Sequence, residues 1–474
     1  MILSGITAGA EATRAGAEGQ AALSVGDTDR ARARFGQAGK ILAAKVAGHR
    51  KQPDKHLARF LAASQYYQGG HYQKALELSR KVEAKFLPVE ARVLFERFLR
   101  DVKDRAAPGY EDTVRKQLTA HWLRKDYEAI LTTLQDHPYV INQSGMAYMR
   151  ASCCERLGDY HGAAVFFADA VKSAPGNATV LFTAAGYPLR LVGNGELNEA
   201  WKYVSYQLKV TPNAITFLTA SNVRFHQAHM ADDHEETRKL LGESVRHFEQ
   251  AWQLFQQFPA QVRDSVDLRE YMILGFEIAA LSLNQIGDSA RAMDVCSVAV
   301  SFAPNAYGPK TVRGIITYPD GEAIADFRRA IELGDPSFYA YYYLAHASMV
   351  SADYEAAAAL CRQALQHAPS RRIEGQLHFW LSIARRHLGA ELEDVRLLLQ
   401  RAIEVDPDNP LPRQHLDAVE ASGKHISFSS EPAWDAELGE PHYIDYLEIQ
   451  ESKVEAAWTA RTDLPERELA GAGV

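Results

Sequence analysis

"GDYHGAAVFFADAVKSAP", residues 158–175, decides the architecture. On a helix, Ala163, Phe167 and Ala170 fall four and three residues apart and share one face. Gly158 ends a preceding helix, Asp159 caps the next one, and Pro175 stops it. The two alanines let a neighbouring helix approach closely, and Phe167 fills the space beside them.

The same order recurs along the chain. "GELNEAWKYVSYQLKVTP" spans 195–212, "GDSARAMDVCSVAVSFAP" 287–304, "ADYEAAAALCRQALQHAP" 352–369 and "AELEDVRLLLQRAIEVDP" 390–407. Fainter copies are "GDTDRARARFGQAGK", "GGHYQKALELSRKV", "KDYEAILTTLQ", "SVRHFEQAWQLF" and "AIADFRRAIELGDP". Each follows another helical stretch. Neighbouring copies lie about 34 residues apart, some several residues more, which is the period of stacked helical hairpins. No strand-like alternation of useful length interrupts them.

Gly158, Tyr160, Ala163, Phe167, Ala170 and Pro175 resemble the second-helix pattern of the tetratricopeptide repeat (TPR). The resemblance covers residues 10–410 or so. It implies an all-α, right-handed superhelical solenoid of about ten TPR-like hairpins, closed by a divergent C-terminal cap. The expected organisation is an N-terminal array over 1–212 and a divergent long-helix segment over 213–276. A C-terminal array over 277–410, a capping segment over 411–460 and a mobile tail over 461–474 follow. Spacing drifts over 80–120 and 213–260, so longer helices or an inserted helix are expected there.

The chain has 474 residues, a formal charge of -8, 47% hydrophobic and 24% charged residues. Those proportions mark a globular chain, and the acidic balance argues against a nucleic-acid binder. No apolar run approaches the roughly 18 residues of a membrane span. The N-terminus "MILSGITAGAEATRAG" lacks the basic start and long apolar core of a secretory signal, so a cytoplasmic location is expected. Four cysteines do not make a disulfide framework.

The resemblance implies that the first helix of each hairpin lines a concave side. In "SFYAYYYLAHASMV", residues 337–350, Tyr341, Leu344, Ala345 and Ser348 fall at packing positions. Tyr339, Tyr342, His346 and Met349 fall on the other stripe, as do Leu57, Phe60 and Tyr67 early on, Tyr148 mid-chain and Trp380 later. One reading is an aromatic groove for a partner peptide, since aromatic side chains dominate binding hot spots. The other is that the same spacing describes core. Tyr342→Ala and Trp380→Ala separate the two: a groove residue loses binding and keeps the melting temperature, a core residue unfolds the protein. Some TPR proteins clamp a C-terminal carboxylate with Lys and Asn on this face. Here the matching positions carry Tyr, Phe, Leu and Ser, so apolar contacts are expected.

Catalytic signatures are absent: no Gly-rich phosphate loop, no GxSxG, no HExxH, no paired CxxC. "HQAHMADDH", 226–234, could bring His226, His229 and Asp233 onto one helical face for zinc. The adjoining "EETRK" reads instead as a solvated helix end, and no metal or other cofactor is expected. Cys296 and Cys361 occupy the Phe167 slot, which makes them packing residues; Cys154 also falls at a packing position, and Cys153 is less constrained. Paired arginines at 371–372 and 385–386 suit a solvated face or an acidic partner. The C-terminal clusters around Trp434, Tyr443 and Tyr446 suit a cap or a docking segment.

The expected function is a non-enzymatic scaffold or adaptor that binds a peptide segment or partner protein. A second reading is a signalling receptor whose array changes shape on binding a peptide or regulates a partner enzyme. A third is an enzyme whose site is assembled from distant helices.

Overall fold

The computed structural model describes residues 10–422, apart from 25, 174–176 and 369. The helix-stopping Pro175 and Pro369, the clusters around Trp434, Tyr443 and Tyr446, and the 461–474 segment lie outside the described residues. Among the described residues there are twenty-three α-helices and no strand.

The motif explains each hairpin. The helix Gln143–Arg156 ends where Gly158 turns left-handed, at φ 75°. Only glycine adopts that conformation without crowding its Cβ. The turn closes with Gly158 N–H donating to the Glu155 carbonyl and Asp159 N–H to that of Cys154, at 3.1 and 2.9 Å. The Asp159 carboxylate then accepts from Gly162 N–H at 2.9 Å and starts the next helix. Asp27, Asp126, Asp288 and Asp353 cap their helices in the same way. The Ala–Phe–Ala face is then buried: Ala163, Phe167 and Ala170 have counterparts in Ala31, Phe35 and Ala38, and in Ala323, Phe327 and Ala330.

The described chain divides into two compact units. The first runs to Leu181 and includes Lys209–Thr211; the second holds Phe182–Leu208 and the described residues from Pro212 on. In the first unit the helices are α1 (Ala10–Ser24), α2 (Thr28–Lys45), α3 (Gln52–Gln68), α4 (Tyr72–Ser79), α5 (Val89–Arg105), α6 (Tyr110–Leu123), α7 (Tyr127–Asp136), α8 (Gln143–Arg156) and α9 (Tyr160–Ser173). They pair as α1/α2, α3/α4, α6/α7 and α8/α9. Helix α5 stands outside this pairing. It lays Ala91, Phe95 and Val102 against the hairpin before it, and Phe60 of α3 meets Phe95 and Phe98 edge-on at 5.3 Å.

Next come α10 (Ala178–Gly193) and α11 (Leu197–Val210). The second unit continues with α12 (Ala214–His229), α13 (His234–Gln256), the single turn α14 (Ala260–Arg263), α15 (Val266–Gln285), α16 (Ser289–Phe302), α17 (Gly308–Thr317), α18 (Gly321–Glu332), α19 (Phe338–Val350), α20 (Tyr354–Ala364), α21 (Arg371–His387), α22 (Leu392–Val405) and α23 (Pro410–Ser422). Helix α13 has 23 residues and α15 has 20. Helix α15 is apolar almost all round and buried along nearly its whole length, as a helix must be when packed on several sides.

Candidate functional site

In the first unit, six rings form a continuous edge-to-face series. Phe60 meets Phe98 at 5.3 Å, Phe98 meets Tyr67 at 5.3 Å, Tyr67 meets Tyr72 at 5.6 Å, Tyr72 meets Tyr110 at 5.8 Å, and Tyr110 meets His137 at 5.7 Å. Such geometry sets a positive ring edge against a negative face. The apolar end is interior, with Phe60 buried, while Tyr67, Tyr72, Tyr110 and His137 are half-buried.

Charge is threaded through this series. The Arg105 guanidinium lies over the Tyr67 ring at 5.3 Å and the Tyr72 ring at 5.9 Å. It donates to an Asp101 carboxylate oxygen at 3.1 Å and to the Asp136 carbonyl at 2.8 Å. The Tyr67 hydroxyl donates to the other Asp101 oxygen. Burial raises the Tyr67 pKa, with the Asp101 hydrogen bond adding to it. Burial likewise pushes Tyr110 up to about 12. Burial and then the Arg105 charge pull His137 below its ordinary value, so the neutral ring can accept from the Tyr110 hydroxyl, 2.6 Å from Nδ1.

In the second unit, a ring cluster sits where α17, α18, α19 and α21 meet. Tyr342 lies 4.9 Å from Trp380 and 5.7 Å from Tyr343, and His346 lies 5.3 Å from Trp380. Tyr343 is stacked nearly parallel on Phe327 at 5.2 Å, and the Tyr318 hydroxyl bonds His346 Nδ1. The sequence singled out Tyr339, Tyr342, His346, Met349 and Trp380 for a groove. All five are buried, Trp380 to 2% exposure, so they present no open surface; Tyr342, His346 and Trp380 are held by rings across neighbouring helices. Phe60 and Tyr148 are also buried, Tyr148 against Phe167 at 5.9 Å, and Leu57 packs beside Phe60. Of the nine residues placed on that stripe, only Leu57 and Tyr67 are part-exposed, and Leu57 is packed into the cluster around Phe60. Its neighbours Tyr72, Arg105, Tyr110 and His137 were not foreseen, because α4, α5, α6 and the turn after α7 carry them and only tertiary packing brings them together.

The repeat itself is decided by the conjunction of motif and geometry. Residues at fixed sequence offsets occupy equivalent hairpin positions: a left-handed turn at Gly158, Gly195, Gly287 and Gly389, and buried second-helix faces behind them. The fold is of the tetratricopeptide-repeat type. Among solved structures, this chain is similar to the APC/C hetero-tetramer Cut9-Hcn1, over 84% of this chain and 88% of that one, at 14% identity and TM-score 0.38. It is also similar to a tetratricopeptide repeat protein from Parabacteroides merdae ATCC 43184, over 58% and 98%, at 13% identity and TM-score 0.32. A third likeness is to YrrB, a TPR protein with an unusual peptide-binding site, over 53% and 97%, at 14% identity and TM-score 0.24. No family model and no curated protein matches the chain.

Elsewhere in the helical array, His226, His229 and Asp233 are not brought together as a ligand set. His229 Nδ1 lies 2.9 Å from the Phe225 carbonyl and its Nε2 2.9 Å from Gln285 Nε2. Asp233 caps α13 through Glu236 N–H at 3.0 Å. No group of His, Cys, Asp and Glu among the described residues could hold a metal ion. All four cysteines are buried, and burial pushes Cys153, Cys296 and Cys361 up to about 12 and Cys154 to about 11. Thiols so shifted are packing groups at neutral pH. The arginine pairs divide: Arg371 donates to the Glu404 carbonyl and Arg385 pairs with Asp394, while Arg386 is buried. No helix among the described residues is long and apolar enough to cross a membrane.

Proposed function

We propose that the array is a protein-interaction scaffold, and that a segment of a partner docks along the half-exposed rings of the first unit. One observation supports this: Tyr67, Tyr72 and Tyr110 stand in an unbroken row with Arg105 across two of them and His137 at the end. Tyrosine and arginine are the residue types that carry most binding energy at protein interfaces. Their conformations are already fixed by edge-to-face contacts and by Asp101, so a partner loses entropy while the receptor does not reorder. The part-exposed ring surfaces leave room for apolar contact with a partner segment, while the Tyr67 and Tyr110 hydroxyls stay engaged with Asp101 and His137.

The experiment is selection of peptides from a displayed random library on the full chain. The selected peptides are then titrated against wild type and a Tyr72→Ala, Tyr110→Ala double variant, with melting followed in parallel. Loss of at least about tenfold in affinity with the fold retained supports the reading, since that is one hot-spot contact. Equal affinity for both proteins places the docking surface elsewhere.

A further inference from the structure

Helix α5 carries an apolar face that no described element covers. Its buried side faces α3 and α4, and it meets α6 only marginally. On the opposite side Val89, Val93 and Leu94 are 68%, 54% and 60% exposed. Other exposed large apolar residues are scattered, mostly singly near helix ends, which needs no explanation. Here three lie within two turns of one helix.

The charges around them are ordered. Glu90 lies at the amino-terminal end of this face, and Arg97 and Arg100 lie toward the other. All three are exposed, and none takes part in an ion pair among the described residues; the flanking pairs are Lys85–Glu83 and Arg105–Asp101. Glu90 and Arg97 are equidistant along the helix from the point between Val93 and Leu94. A second α5 laid antiparallel about a two-fold axis at that point would set each Glu90 against the partner's Arg97. Val93 would then meet Leu94 twice at the centre. An isologous contact of this kind forms the Glu90–Arg97 pair twice by symmetry, while Arg100 and Glu96 stay toward solvent. A uniformly acidic partner would suit Arg97 and Arg100 but be repelled by Glu90 and Glu96, so the mixed pattern favours a copy of the same helix.

We propose that the chain self-associates through α5, as an antiparallel pair of Val89–Arg105 helices. One helix pair buries less than the roughly 1,200–2,000 Å² of a standard stable interface, so the dimer should form at micromolar rather than nanomolar concentration.

The test is sedimentation velocity of the full chain over a series reaching the high micromolar range. Wild type should shift from monomer to dimer. Val93→Glu should remain monomeric with an unchanged melting temperature, since Val93 is exposed. Glu90→Arg and Arg97→Glu should each raise the dissociation constant about tenfold or more, by facing like charges. The double variant Glu90→Arg, Arg97→Glu should regain wild-type association, because the swap restores both pairs in a homodimer. Wild type that stays monomeric, association that survives Val93→Glu, or a double variant as weak as either single one each overturns the proposal. A wild type that stays monomeric would instead favour an occupant such as the acidic residues 431–451 of this chain or another protein.

Discussion

The two ring clusters are built from the same residue types and differ in what touches their polar atoms. In the first unit, Tyr67, Tyr72 and Tyr110 lie half-buried beside Arg105, Asp101 and His137, with a guanidinium across two ring faces. In the second, Tyr342, Tyr343, His346 and Trp380 are buried and their ring contacts are with other aromatics. Burial of tyrosines is a gain of apolar area with a hydroxyl that must find a partner, whereas a half-exposed tyrosine keeps part of its ring for solvent or a ligand. Helical spacing is common to both, so spacing does not separate a surface stripe from a core. The presence of fixed charge beside the ring does.

The largest effect that can break this contrast is removal of a ring from the second cluster. Trp380→Ala should cost about 3–5 kcal/mol, the range for deleting a buried aromatic side chain, and Tyr342→Ala a similar amount. Denaturant unfolding measures it. A protein that keeps its midpoint after Trp380→Ala would show that the ring is not part of the core, and the contrast between the units would fail.

The next effect compares two histidines. His415 of α23 packs edge-on against Phe379 at 4.8 Å and, with Arg386, borders a small cavity between α21, α22 and α23. Burial, and secondarily the Arg386 charge, lower its pKa to about 4. The unfolded chain binds a proton near pH 6.5, where the folded one does not, so the stabilising neutral state is fully present above that pH. Stability is lost as pH falls from 6.5 toward 4, by about 2–3 kcal/mol. His415→Leu should flatten the dependence in that window. His137 is also lowered, but it is half-buried among the exposed tyrosines, so its variant His137→Gln should change the slope less. A larger change at His137 would reverse the ranking of the two environments.

Much of the fold was legible because its cause is local. Gly158 and Asp159 set a turn and a cap within a few residues, and Ala163, Phe167 and Ala170 declare a face by spacing alone. Two features were not. Helix α5 falls in the 80–120 stretch whose drifting spacing marks an inserted helix, but which of its sides stays uncovered is a tertiary fact with no local mark. The half-exposed rings come from Tyr67, Tyr72, Tyr110 and His137, which form one row only after α3, α4, α6, α7 and the intervening α5 have packed. Conversely, Tyr339, Tyr342 and Trp380 look the same in sequence whether they line a groove or fill a core.

A smaller effect tests whether the cluster's rigidity depends on the turn below it. Ala352 follows α19 at φ 58°, the place that glycine takes after α8, α15 and α21; Lys125 does the same after α6 at φ 59°. A side chain in the left-handed region crowds its own carbonyl. Ala352→Gly should therefore stabilise by about 0.5–1 kcal/mol, the strain relieved less the extra freedom of the unfolded glycine. Lys125→Gly should do likewise in the first unit. If only one of them stabilises, the two units differ in their turns as well as in their rings.

A comparably small effect sharpens the contrast most. Tyr67→Phe removes one hydroxyl and leaves the ring, its edge-to-face contacts with Phe98 and Tyr72, and the Arg105 guanidinium above it. Asp101 keeps Arg105 as its partner and is half-exposed, so no buried charge is stranded. The loss should be about 0.5–1.5 kcal/mol, the net worth of one hydrogen bond. Tyr67→Ala removes the ring as well, and should cost more stability while also loosening Arg105, which loses one of the two faces it covers. Peptide affinity distinguishes the two roles. If ring faces bind the partner, Tyr67→Phe binds as wild type and Tyr67→Ala does not. If Tyr67→Phe weakens binding as much as Tyr67→Ala, the hydroxyl and its Asp101 contact are what the partner reads, and the site is polar rather than aromatic.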